Sequence, residues 1–242
     1  MSQESSVPYD YDAIGPGYYD EVFRRGAGIQ SKWHHLKFKH VRAQFPSGAR
    51  DHLDIGCGPG TFIGTLPETM HCVGTDLAAA QIDYANREYG TPQHTFLCVR
   101  DGQLPFDDAQ YDVVTLIELI EHIERPLIES LLREAARVLR PGGRLLLTTP
   151  NYASLWPLLE KVVNARAPVT YEDQHISFFT PGRLRALLRD CGFADPRVST
   201  FQGVAPFVAA LGWKLADRVQ IVENPLLAPA LGFLLLGSAR KA

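Results

Sequence analysis

Two groups of residues have the types and spacing that chemistry needs. The first is Leu53-Asp54-Ile55-Gly56-Cys57-Gly58-Pro59-Gly60, a short apolar run that ends in a glycine-rich turn. Glycines at such a turn let backbone approach a ligand that side chains would block. The acid Asp54 stands before the first glycine, and a second acid, Asp76, follows the next predicted strand. A carboxylate at that place can accept both ribose hydroxyls of a nucleoside. The second group is Glu118-Leu119-Ile120-Glu121-His122, at the carboxyl end of a predicted strand, with His175 later in QHISFFT. In an open α/β sheet that edge faces the ligand crevice. Glu118, Glu121, His122 and His175 offer two kinds of chemistry. One is general-base catalysis by His122 or His175, the candidate catalytic residues. The other is a divalent-metal site of mixed oxygen and nitrogen ligands, which suits Mn²⁺, Fe²⁺ or Zn²⁺ and admits Mg²⁺ if substrate hydroxyls and water complete its shell.

The elements that must position these residues follow from the pattern. Strands are expected at His52–Ile55, His71–Thr75, His94–Val99, Tyr111–Ile117 and Arg144–Thr149. A helix is expected from about Ala78 to Tyr89, and an amphipathic one over Pro126–Leu139 that Pro141-Gly142-Gly143 stops. Strands alternating with helices at this spacing imply a parallel, doubly wound sheet with right-handed crossovers. Thr180-Pro181 supplies an N-cap and first-turn proline for a helix to about Asp190. Arg197–Phe201 and Gly232–Ala239 complete the strands, and Val204–Val219 has the spacing of one amphipathic helix. At the other end, residues 1–17 have the composition of a loose tail and residues 28–45 the spacing of a helix.

Composition narrows the class. The 242 residues carry 45% hydrophobic and 21% charged side chains, as in a soluble globular chain long enough for one full α/β core. The net charge of −3 argues against a general polyanion binder. Between Val22 and Arg50, however, there are seven Lys/Arg and no acid, a solvated face or a basic lid over an anionic ligand. Cys57, Cys72, Cys98 and Cys191 lack disulfide or CxxC spacing, which points to reduced thiols and a cytoplasmic location. No secretory signal is expected, and the uncharged stretch from Asn224 to Ala239 is shorter than the ~18 residues of a spanning helix. The apolar C-terminal third leaves peripheral contact with a membrane or lipid substrate open.

Over residues 50–200 the chain resembles the class I S-adenosylmethionine-dependent methyltransferases, of the methyltransferase type 11 and ubiquinone-pathway O-methyltransferase kind. The resemblance rests on LDIGCGPG, VGTDLA, RDGQLPFDDAQYDVV and ARVLRPGGRLLLTTPN. It implies a Rossmann-like, seven-stranded fold of order 3-2-1-4-5-7-6, with a mostly parallel sheet and an antiparallel last strand. By that resemblance Gly56, Gly58 and Gly60 shape the turn around the methionine part of the cofactor. Asp54 lies near its amino group, Asp76 with Leu77 holds the ribose, Asp101 and Gly102 sit beside the adenine, and Ile117 lines the pocket. The run of Glu118, Glu121, His122 and His175 is similar to the ExxEH and later His of the ubiquinone-pathway enzymes. It is also similar to RNA 3′-terminal 2′-O-methyltransferases, where such residues hold Mg²⁺.

The expected organisation is a single methyltransferase domain over 1–242. Residues 1–45 form a tail and helical lid, 46–150 the cofactor-binding core, 151–180 an insertion near the acceptor, and 181–242 C-terminal helices and strands. The expected activity is transfer of the methyl group of S-adenosyl-L-methionine to a hydroxyl of a small molecule such as a sugar, quinone precursor, lipid or natural product. A nucleic-acid partner is disfavoured by charge. Methylation of an RNA 3′ end and a non-catalytic, cofactor-binding regulator remain alternatives. Lys37 is a candidate contact to the cofactor carboxylate. His34, His35 and His40 read as surface or lid residues. Trp156, Phe178, Phe179, Phe207 and Trp213 read as core aromatics or an acceptor pocket.

Overall fold

The computed structural model describes residues 15–99, 103–159, 175–226 and 232–242. In chain order the elements are α1 (Tyr18–Arg24), α2 (Gly28–Arg42), β1 (Asp51–Ile55), α3 (Thr61–Gly64), β2 (His71–Asp76), α4 (Ala79–Tyr89), β3 (His94–Cys98) and β4 (Tyr111–Ile117). A single 3₁₀ turn, Ile120–His122, then leads to α5 (Arg125–Val138) and β5 (Leu139–Pro150). The remainder is α6 (Pro181–Asp190), β6 (Ala194–Phe201), α7 (Ala205–Val208), α8 (Trp213–Leu226) and β7 (Leu234–Arg240). All seven strands form one sheet of order β3-β2-β1-β4-β5-β7-β6. Pairing is parallel from β3 to β5, and β7 runs antiparallel to both β5 and β6. This is the order and strand polarity that the family resemblance implied.

The central strands read as continuous apolar runs because both faces are covered. Alternation sends Val114 and Leu145 into a core under α5 and α6, and Val113 and Leu146 into a second core with α2, α3 and α4. On α5 the buried residues Ile128, Leu131, Leu132, Ala135 and Val138 fall on one stripe, with Pro126 in the first turn. Thr180 caps α6, its side chain accepting from Arg183 N, and Leu184, Leu187 and Leu188 face the core.

Two expectations are corrected. The single helix over 204–219 is two helices, α7 and α8, broken around Leu211-Gly212, where glycine costs helix stability. The helix over 28–45 ends at Arg42. Directly after the expected tail, Tyr18–Arg24 forms a docked helix that went unmarked in the sequence. Residues 1–14 lie outside the described residues, as do Asp101, Gly102 and 160–174, half of the 151–180 insertion. No helix among the described residues is long and apolar enough to cross a membrane.

The docking of α1 has one buried anchor. Asp20 is fully buried and accepts from Thr61 Oγ1 (3.0 Å), Tyr84 Oη (2.8 Å) and the Tyr89 hydroxyl, while Arg24 Nε lies 2.9 Å from its carboxylate. A carboxylate so enclosed is stable only with donors around it. Asp20→Ala strands three hydroxyls, and the expected cost is about 3 kcal/mol. Urea unfolding checks it; a change below about 0.5 kcal/mol removes Asp20 as the anchor.

Candidate active site

The carboxyl ends of β1, β2 and β4 open onto a cleft of about 800 Å³ that α1 and α2 cover, within the ~300–1,000 Å³ usual for small-molecule and cofactor sites. On one side stands the glycine turn. Gly56 N and Cys57 N both donate to Thr75 O (2.8 and 3.0 Å), which ties the turn to β2. Gly60 has φ +77°, and a Cβ there would lie 2.7 Å from Phe96. A Cβ at Gly58 would instead meet nothing within 4 Å. Gly60 is therefore demanded by packing, whereas Gly58 keeps backbone open to the cleft.

Asp76 ends β2 beside this turn. Its Oδ2 accepts from Gly58 N (2.8 Å) and its Oδ1 from Ala78 N (2.9 Å). These bonds orient the carboxylate. Asp54 lines the cleft from β1 and is 2% exposed. Burial pushes its carboxyl up to about 7; the hydrogen bond from Thr115 opposes the rise and the charge of Asp76 adds to it. Leu77 and Ile117 also line the cleft.

The other side holds the polar run after β4. Glu118 adopts left-handed backbone, φ +51°, where a non-glycine residue is strained. Its carboxylate accepts from Nζ of Lys37, a buried residue of α2. Glu118 thus belongs to an ion pair between lid and strand. The residues that converge are Glu121, His122 and His175, each offering a ligand atom within 4.8 Å of the others. The loop beyond residue 174 is pinned by Ile176 N and Ser177 N, which both donate to Glu121 O (2.8 and 3.0 Å), and by Ser177 Oγ on Ile123 O (2.8 Å). His175 is held 2.9 Å from Tyr152 Oη through Nδ1, and its ring centroid lies 5.0 Å from that of His122. Glu121 is 1% exposed, and its Oε2 has no hydrogen-bond partner among the described residues. Burial, then the charge of Glu118, raises its carboxyl to about 8.

Several residues went unmarked in the sequence. Trp33 forms an aromatic wall with Trp156 (5.5 Å) and Phe207 (6.5 Å), all lining the cleft. Tyr152 orients His175, and Asp20 anchors the lid. The basic stretch is not a uniform solvated face: Lys32 is 2% exposed and pairs with Asp217 (2.7 Å), as Lys37 pairs with Glu118. His35 stacks on Phe23 and His40 on Phe201, both lid contacts, while His34 lines the cleft. Phe179 is core, Phe178 is half-exposed, and Trp213 packs on Lys32 and His35.

A glycine turn and an acid at the end of β2, at the reversal of a 3-2-1-4-5-7-6 sheet, define the class I S-adenosylmethionine-dependent methyltransferase fold. A family described as "Methyltransferase domain" matches residues 31–196, and the chain belongs to that family. Among curated proteins it is 29% identical over 120 residues to a ubiquinone biosynthesis O-methyltransferase of Coxiella burnetii, covering 48% of this chain and 50% of that one. It is 31% identical over 150 residues to an S-adenosylmethionine-dependent methyltransferase of Mycobacterium tuberculosis, covering 61% of this chain and 50% of that one. The chain thus spans about half the length of these curated relatives. A solved S-adenosylmethionine-dependent methyltransferase from Thermotoga maritima superposes with a TM-score of 0.67 at 19% identity, over 93% of this chain and 94% of that one.

The shifted groups predict how stability depends on pH. Asp54 and Glu121 have folded values raised to about 7 and about 8, so the stability linked to their protons is full at low pH and is lost as pH rises through those values. Burial lowers His34, His35, His40, His52 and His94, which act in the opposite sense below the ordinary histidine range. Only about a pH unit above the ordinary histidine value, from about pH 7.5, are those rings neutral both folded and unfolded, so that the two acids govern. The ligand-free domain is expected to lose stability between about pH 7.5 and 8.5, and the combined Asp54→Asn, Glu121→Gln variant to show a clearly shallower profile there. Denaturant midpoints across that range measure it; equal slopes in both proteins would contradict the assignment.

Proposed function

We propose that the chain transfers the methyl group of S-adenosyl-L-methionine to a hydroxyl of a small molecule. The donor lies between the glycine turn, Asp54 and Asp76, with Leu77 and Ile117 along its length. Asp101 and Gly102 are read as the adenine side. The acceptor lies against Glu121, His122 and His175. The observation that supports this reading most is the convergence of those three residues beside the donor half of one cleft. The C. burnetii relative named as an O-methyltransferase supports oxygen as the accepting atom.

The sulfonium already carries a good leaving group, so the protein must align the oxygen opposite the C–S bond and relieve it of its proton. The oxygen–carbon bond forms as the carbon–sulfur bond breaks, the electron pair stays on sulfur, and S-adenosylhomocysteine leaves. His122 or His175 takes the proton. Nδ1 of His175 lies 2.9 Å from the Tyr152 oxygen, and the tautomer protonated there would carry its lone pair on Nε2. The unpartnered Oε2 of Glu121 and the two imidazoles also fit a divalent cation. Such an ion, when bound, would stabilise the alkoxide. Pairing of Lys32 and Lys37 with acids disfavours an RNA acceptor, because those charges are already neutralised. The helices α1 and α2 serve as a lid over both ligands.

Asp76→Ala should weaken S-adenosylhomocysteine binding by about 1.5–3 kcal/mol in calorimetry; unchanged affinity would overturn the donor placement. His122→Ala or His175→Ala should lower kcat by about 10²–10⁴-fold with donor affinity kept. Loss of turnover on chelation, restored by a divalent ion, assigns the cluster to a metal; turnover that survives chelation assigns it to the base. S-adenosylhomocysteine should also slow proteolysis within residues 18–45, since ligand stabilises the closed form. Equal cleavage with and without ligand would remove the lid.

A further inference from the structure

Behind Asp54 lies a polar arrangement that neither the glycine turn nor the methyl-transfer chemistry requires. Residues 52 and 54 share one face of β1, and the parallel register sets Thr115 of β4 beside Asp54. His52 and Thr115 are both fully buried. His52 Nε2 lies 2.8 Å from Thr115 Oγ1, and Thr115 Oγ1 lies 2.5 Å from Asp54 Oδ1. Phe45 and Phe62 enclose the imidazole, with ring centroids 5.2 and 5.8 Å away. A polar pair deep among aromatics costs stability unless its groups are hydrogen-bonded, and here Nδ1 of His52 stays without a partner among the described residues.

The direction of the relay follows from donor arithmetic. An ionised carboxylate only accepts, so the single hydroxyl proton of Thr115 goes to Asp54. The ring must then donate to Oγ1, which places the His52 proton on Nε2 and the lone pair on Nδ1. Nδ1 is the buried ring atom with no partner. If Asp54 were protonated and donating, the Thr115 hydroxyl would have to donate either to Nε2, leaving Nδ1 a buried N–H with no acceptor, or to Leu53 O at a long 3.5 Å. Orphaned buried N–H groups are rarer than orphaned acceptors. The surroundings therefore favour the ionised direction.

We propose that His52 and Thr115 are positioning residues for the methyl donor: their relay holds the Asp54 carboxylate turned to the cleft and charged, to receive the α-ammonium of the amino-acid end of S-adenosylmethionine. This rests on the donor placement proposed above. Other titratable groups face Asp54 from the neighbouring elements: Asp76 and Cys72 of β2 and Cys57 of the glycine turn. None is a cation, so the positive partner of Asp54 comes from the ligand. Burial and Asp76 push the Asp54 carboxyl up, and the Thr115 bond holds it down. Donor affinity should then rise with pH through neutrality, as the acid ionises, and the relay should set the midpoint.

The test is calorimetric binding of S-adenosylhomocysteine, which keeps the α-ammonium, from about pH 5.5 to 8.5. Thr115→Val keeps the branched shape and removes the hydroxyl. It should weaken binding at neutral pH about tenfold and move the midpoint of the pH profile upward. His52→Leu should do the same to a smaller extent. Thr115→Ser restores the hydroxyl, and His52→Gln sets an amide N–H where Nε2–H lies, so both should return affinity and midpoint toward wild type. A role in packing alone would leave the midpoint unmoved. Wild-type affinity and midpoint in Thr115→Val and His52→Leu overturn the relay. If Thr115→Val does not fold, His52→Leu against His52→Gln decides. Asp54→Asn separates the two levels. Loss of affinity there with no effect of the relay variants defeats the relay and leaves the donor placement standing; wild-type binding by Asp54→Asn defeats both.

Discussion

The parallel pairing of β1 with β4 is the constraint on which the rest of the structure depends. It lies where the strand order reverses, with β2 and β3 laid down on one side and β4 and β5 on the other. Right-handed crossovers on the two sides carry their helices to opposite faces and leave a crevice at the carboxyl ends of the central strands. Most polar groups of the site issue from those ends: the glycine turn and Asp54 from β1, Asp76 from β2, and the run from Glu118 to His122 from β4, to which the loop before α6 adds His175. The register of the same pair sets Thr115 beside Asp54. A one-residue slip would turn Thr115 to the opposite face and move an apolar neighbour against the carboxylate.

The cleft is divided by charge chemistry. Its donor half carries two acids, and the Asp54 carboxyl is raised by burial. A ligand group that brings positive charge, as the α-ammonium of the proposed donor does, is favoured there. The acceptor half has little uncompensated positive charge among the described residues. Lys37 enters it from the lid but meets Glu118, and Lys32 is tied to Asp217 behind Trp213. What the acceptor half presents instead is imidazole, a buried carboxyl and an aromatic wall.

The lid is built from contacts of two kinds. Aromatic rings of α2 pack along the second core, where Phe38 meets Phe62 and His40 stacks on Phe201. Buried charges then fix its position, with Asp20 on α3 and α4, Lys37 on the end of β4 and Lys32 on α8. Each charged contact costs desolvation and repays it only in one geometry, so these contacts specify where the lid sits more than how strongly it holds.

The periodicity of apolar residues and the turn residues between them determined the sheet elements, because a parallel strand buried on both faces must be apolar throughout and a crossover helix must carry a stripe. Tyr111–Ile117 and Pro181–Asp190 coincide with the expected elements, since turn and capping residues mark their ends in the chain. The motif residues of the donor half were legible for the same local reason: a glycine turn and two acids are defined by neighbours in sequence. Other features were decided only by tertiary structure. The docking of residues 18–24 depends on a buried acid whose hydroxyl partners are more than forty positions away. Nothing local joins Glu118 to Lys37 or His175 to His122, because those contacts are made by the lid and by a loop that hydrogen-bonds to Glu121 O. The relay behind Asp54 is of the same kind. His52 and Asp54 share a face by alternation, but their link is a threonine on another strand, and strand register is a property of the folded sheet.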